Sequence, residues 1–479
     1  MNVSPENSGT VAANVGAPMN TYPAILEVHQ GEYITLQARE NPGYLFSHWS
    51  GAVEDDAKTT AFTYNFSRST EITANFRAIG STAVSRLYFP HVASQQVGDS
   101  SGLMWETEIC LINAGEEAVT GTLKAYAYQN NRWGVSNLRE ITLAAHGRWG
   151  RIVGGGEFEN PSQIRYMVFE SQSDRVVGYT KFYVPGRYRA ALPAVREVNA
   201  SDIYVPHIAS DAVWWTGISL VNTTPWAKEL TITFDNGTTG TIPLGAREHK
   251  GLDIATAFFD GVPQPDVHSA VIANAEGVIG LELFTDLDPA WGPQMEGILL
   301  TDRTAATLYY PDVKNDGWWT GVAAYNPTPS PNQTTIAPFD SQGSPLTPST
   351  VTLEGKEKYI GAVWRDLDLP ADTAWFRIDA QQPLSGFQLF GRDDGSLLAS
   401  YAARGGTGAP AGIFPKIEQE GSTDIVMVNP GEGTAFVNLT AYNDSGAPVA
   451  GPVALVVNKH AKVSKPAADL FPQSISGAT

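Results

Sequence analysis

The chain has 479 residues, enough for several folded cores and, at about 150 residues per domain, three or more domains. Its 31 Lys and Arg against 50 Asp and Glu leave a net charge of −19, which excludes nucleic acid and anionic lipid as main partners, because both require a basic footprint. A hydrophobic share of 42%, with 46 Gly and 31 Pro, is the composition of an all-β protein of many short strands joined by turns, and the single cysteine, Cys110, excludes an internal disulfide or a thiolate zinc cluster.

No run approaches the ~18 apolar residues that a membrane helix needs, so no transmembrane segment is expected. The opening MNVSPENSGT has neither the basic start nor the apolar run of a signal peptide, so export would require a leader outside these residues.

Residues 1–80 form the first unit. Apolar and polar residues alternate over 24–28, 33–38 and 70–76, the pattern of half-buried strands in a small β module. The run from Asn41 to Gly51 carries aromatics at Tyr44, Phe46 and Trp49 and is closed later by Ala74, Asn75 and Phe76; it resembles the divergent internalin B-type repeat of bacterial surface proteins. That resemblance implies a small β-grasp-like spacer on an exported bacterial protein, with no catalytic residues.

From residue 84 the chain repeats itself with a period of roughly 105 residues. Prolines recur at 90, 206, 311 and 415 within Leu-Tyr-Phe-Pro-His-type runs, and each is followed by a strand ending in Asn113, Asn222, Asn326 or Asn429. A third landmark, a Gly in an apolar run that closes on Phe, recurs at Gly178, Gly280 and Gly386. The period suits a β-sandwich and is too long for a solenoid coil or a single propeller blade. The expected organisation is sandwich repeats at 84–198, 199–305 and 306–409 and a partial repeat at 410–479. The missing fourth landmark is expected of a chain cut inside a longer array, the alternative being a terminal cap. The repeats loosely resemble uncharacterised tandem β modules of bacterial secreted proteins, which implies no activity. Short connections predict a semi-rigid rod.

Alternation within the Asn-terminated strands places Trp105, Ile109 and Leu111, and likewise Trp214, Ile218 and Leu220, on the core face. Trp215 and Trp319 then point outward beside Gly217 and Gly321, as flat plates for a sugar ring or as contacts with a neighbouring module. His91 and His207 follow the repeated proline, but Asp312 and Lys416 stand there in the later copies, which fits a turn or strand edge rather than a required base or metal ligand. Gly98 to Gly102 spells the Gly-x-Ser-x-Gly pattern, yet a strand follows where a nucleophile elbow needs a helix. No cofactor is implied. A structural calcium site would draw on loop carboxylates, with Asp366, Asp368 and Asp372 as the candidate ligands, beside the acidic groups Asp286 with Asp288 and Asp393 with Asp394.

The expectation is therefore a non-catalytic extracellular or cell-surface protein that binds a glycan or a protein surface. The alternatives are a self-assembling subunit that adds strands to neighbouring copies of itself, and an accessory part of a polysaccharide-degrading enzyme.

Overall fold

A computed structural model describes residues 1–479 apart from 5–7, 16–21, 42–43, 54–58, 65–69, 79–83, 98–103, 287–293, 407, 418–422, 472–474 and 476. The Gly98 to Gly102 pattern and Asp288 lie outside the described residues.

The protein is all-β, with two short helices, Ile254–Phe258 and Ala467–Leu470, and one 3-10 turn among the described residues. In the N-terminal unit, Asn2–Ser4 lies parallel to Ile72–Ala78, which also pairs with Tyr44–Gly51; Gly9–Ala13, Tyr33–Glu40 and Thr59–Thr63 form a second three-stranded sheet. Trp49, Leu36, Ala38 and Ala74 are fully buried between them. The β-grasp likeness stops at the strands, since no helix occurs among the described residues of this unit.

The first repeat is a sandwich of two antiparallel sheets. Ser85–Phe89, Val119–Gln129, Arg132–Leu143 and Ile164–Ser171 make the first sheet; Met104–Asn113, Arg148–Ile152, Val176–Tyr183 and Arg189–Pro193 make the second, with Gln96–Val97 at its edge. Leu87, Leu123 and Phe169 from one sheet meet Ile109, Leu111 and Val176 from the other. The second repeat has the same two four-stranded sheets. In the third, the strand Trp375–Arg392 is long enough to run through both sheets and join them. The fourth is smaller among the described residues: Asp424–Val428 pairs with Lys462–Pro466, and Ala435–Tyr442 with Pro448–Val457.

The landmarks have physical causes. The Asn113 side chain donates to the carbonyls of Glu117 and Ala144, and its oxygen accepts from the Gly115 N–H; Asn222, Asn326 and Asn429 repeat this clamp in their own copies. A buried amide thus satisfies backbone carbonyls that the loop would otherwise leave unpaired. Thr107, Thr216 and Thr320 each accept from one N–H and donate to the carbonyl of the same residue in the segment after the repeated proline. The landmark glycines are required by close approach: a Cβ at Gly178, Gly280 or Gly386 would overlap the carbonyl oxygen of Cys110, Ser219 or Ala323 on the paired strand.

The modules do not extend as a rod. The second packs on the first through Val221 and Ile279 against Tyr88, Tyr126, Tyr166 and Val168, and the third packs on the second through Ala323 and Phe387 against Phe284 and Ile298. The Trp375 indole donates to the His460 carbonyl at 2.8 Å, joining third to fourth. The fourth then returns to the first: Tyr442 stacks on His146 at 4.3 Å, Ile413 packs on Cys110, Ile112 and Tyr179, and the Arg148 N–H donates to the Asp444 carbonyl at 3.0 Å. The four modules close into a ring. Linker length alone predicted extension; the outward apolar faces override it by burying one another.

One expectation about side chains also changes. Trp105 and Trp214, placed by alternation on the core face, lie at or beside the first residue of their strands, in clusters between modules. Tyr88 faces the second module, and Tyr204 meets Tyr325 of the third at 5.9 Å.

Candidate functional site

The residues that follow the repeated prolines sit at the seams of the ring. In each module one edge strand of the second sheet opens at Arg148, His249, Lys358 or Lys462, and two positions earlier stands a residue with positive φ: His146, Arg247, Lys356 or His460. That turn presents the strand opener to the module before it. His91 Nδ1 lies 2.9 Å from His249 Nε2, with Ser219 Oγ 2.8 Å from the same nitrogen. Lys358 Nζ donates to His207 Nδ1 at 3.2 Å, and Lys462 Nζ meets Asp312 Oδ1 at 2.5 Å. The variation from His91 and His207 to Asp312 is therefore matched, at three seams, by a partner on the next module.

These seams are desolvated. Burial, aided by the nearby Arg165 charge, lowers His91 to about 4, and His207 and His249 are also held well below the usual imidazole range, mainly by burial. Glu282 is completely buried, neither carboxyl oxygen has a hydrogen-bond partner, and burial raises it well above the carboxylate range against the pull of Lys358. Burial likewise brings Lys358 down to about 8, opposed by Glu282 and Asp235. Such groups make each seam sensitive to charge.

At the closing seam both positions are cations, Lys416 and Arg148. Lys416 turns to Glu108, 3.7 Å away, and Arg148 to Asp444 at 2.6 Å. Burial works to raise Glu108, but the Tyr179 hydroxyl at 2.7 Å, Lys181 and Lys416 together hold it below its ordinary value. A cleft of about 240 Å³ opens here, lined by Glu108, Arg148, Gly150, Arg151, Ile152, Lys416 and Asp444.

The two outward tryptophans differ. Trp319 covers Gly391 and joins the cluster between the second and third modules. Trp215 is half-buried, its ring over Gly217, and its indole donates to the Asp253 carboxylate. Asp366, Asp368 and Asp372 are exposed and are not brought together: Asp366 is bonded to the Arg365 guanidinium and the Ala362 N–H. Among the described residues no group of three or more His, Cys, Asp or Glu is arranged to hold a metal ion. Asp394 is used by Ser396 and Arg392.

The N-terminal unit completes the picture. Its alternating strands and buried Trp49 carry the aromatic and glycine spacing of one known family. Residues 2–80 match the divergent InlB B-repeat domain. Repeats of the InlB type are typical of bacterial surface or extracellular proteins. The match stops where the sandwich modules begin, and no curated protein matches the chain. The InlB-type repeat leans on the ring, where its His48, Trp49 and Ser50 share a small polar cleft with Arg86, Tyr88 and Lys124 of the first module.

The seam partners and the closing cleft were missed in the sequence. No repeated letter marks His249, Lys358 and Lys462; their only shared signal is that each opens a short strand after the turn that follows the Asn clamp. No helix among the described residues is long and apolar enough to cross a membrane.

Proposed function

We propose that the chain is a non-catalytic, exported bacterial surface or extracellular protein whose ring of modules presents surface for adhesion, binding a glycan or a protein, with the InlB-type repeat as a spacer. The family match at residues 2–80 carries this proposal. The repeated scaffold supports it, because chemically different side chains at equivalent positions serve the seams rather than a shared reaction. Trp215 is the better placed of the two candidate aromatic plates, since Trp319 is packed between modules.

The test is retention of the whole chain on an array of neutral and acidic glycans and of surface proteins, beside the Trp215→Ala variant checked for unchanged thermal unfolding. Retention on at least one class supports adhesion; no retention on any, together with turnover of a polysaccharide, would reject it.

Self-assembly is a second reading, favoured by one observation. Phe436 is 80% exposed on the fourth module, and among the described residues Asp424–Val428 and Ala435–Tyr442 each pair with one strand where their counterparts in the other modules pair with two. Light scattering after size exclusion separates the two: a monomer at all concentrations removes self-assembly.

A further inference from the structure

We infer that the cleft at the closing seam binds one unit of an acidic saccharide, its carboxylate against Lys416 and Arg151 and its hydroxyls against Glu108 and Asp444. The inference rests on the binding role proposed above and names the site and the ligand class.

Three seams close by direct contact between the residue after the repeated proline and the strand opener of the next module. The fourth has a cation at both places, and two like charges cannot make that contact; they separate toward different carboxylates and leave a cleft of about 240 Å³. The space exists because the pair is mismatched.

Its lining selects the ligand. Arg151 stands at the rim, 47% exposed, over the Trp149 ring and bonded to Glu157 at 2.5 Å. With Lys416, Arg148 and Lys181, which also pairs with Glu108, it makes four cations against the carboxylates Glu108, Asp444 and Glu157, one positive charge in excess on a chain of net charge −19. A bare oxyanion would meet repulsion from Glu108 and Asp444. A polyhydroxy acid satisfies both sets: its carboxylate pairs with the cations, and its hydroxyls donate to the carboxylates. Gly150 adds no side chain, and a Cβ there would still be 3.9 Å from its nearest neighbours, so a sugar ring has access to the floor, while Ile152, 43% exposed, offers an apolar surface for its C–H face.

The probe is trigalacturonate, compared by calorimetry with neutral galactotriose and with inorganic phosphate, on the whole chain. Trigalacturonate is expected to bind, galactotriose not measurably, and phosphate at least tenfold more weakly. Lys416→Gln and Arg151→Gln should each weaken trigalacturonate at least tenfold. The labelling rate of Cys110, which is buried at the same seam, reports whether the variants keep the ring closed. Loss of binding with unchanged labelling supports the site. Equal binding of phosphate and trigalacturonate, no binding of either, or full binding by both variants would overturn it. Retention of wild type and Lys416→Gln alike on a neutral glycan or a protein would overturn the cleft and leave the adhesion proposal standing.

Discussion

Asp312 and Lys462 lie 150 residues apart in the chain and 2.5 Å apart across a seam, at the place where His91 meets His249 between the first two modules. Both side chains are almost fully buried, at 3% and 7% exposure, and Lys462 also donates to the Ala374 carbonyl at 2.9 Å. Asp312→Ala leaves a buried ammonium without its counter-charge and should destabilise the protein by about 3–5 kcal/mol in urea unfolding. Asp312→Leu with Lys462→Met, which removes both charges, should recover most of that loss; a double variant as unstable as the single one would refute the pairing.

Acid should weaken the seam between the first and second modules. His91 and His249 have folded-state values below 6.5, so the unfolded chain binds more protons wherever the pH lies between about 4 and 6.5. The contribution of neutral imidazoles is complete above pH 6.5 and is lost as the pH falls toward 4, on the order of 1–3 kcal/mol. Glu296, raised to about 8 by burial, runs the other way: its contribution is full below 4.5 and is lost as the pH rises through 8. Comparing urea midpoints at about pH 7.5 and 5 for wild type and for His91→Gln with His249→Gln isolates the histidines; the double variant should show the smaller change.

Cys110 is a built-in reporter of ring closure. It is fully buried beneath Ile413, and burial pushes its thiol up to about 12, so it should react slowly with a disulfide reagent. Gly446 has a φ of 81°, and a Cβ there would overlap the Ala145 carbonyl across the closing seam. Gly446→Val should therefore speed Cys110 labelling about tenfold or more, equivalent to about 1.4 kcal/mol of seam opening, with unchanged strand content by circular dichroism.

The asparagine clamp is local. Asn326 is fully buried and donates to the carbonyls of Ser330, Leu353 and Glu354 while accepting from the Thr328 N–H. Asn326→Ala should cost about 2–3 kcal/mol because those carbonyls lose their partner inside the protein. Thermal unfolding checks this, and Asn326→Asp should not rescue it, since a carboxylate has no N–H to donate.

Much of this fold was legible in the sequence. The all-β class and the strands that run up to Asn113, Asn222, Asn326 and Asn429, two of them stopping one residue short at Tyr325 and Val428, follow from alternation and from landmarks that each copy needs for its own folding. The ring was not legible, because its contacts join residues such as Arg148 and Asp444 that no local pattern relates. The change from His91 to Asp312 to Lys416 read as drift for the same reason: the compensating partner stands in a different module. Trp215 and Trp319 share one sequence context but not one environment, since only Trp319 has a neighbouring module laid over it.

Closure changes what happens when a seam fails. In an open array, two faces that part are free to diffuse. Here the parted faces of any one seam stay linked through the other three, at a high effective concentration, so they meet again far more often than separate molecules would. A single junction, such as the one between Lys416 and Glu108, can therefore open and reseal while the remaining seams keep the circle intact.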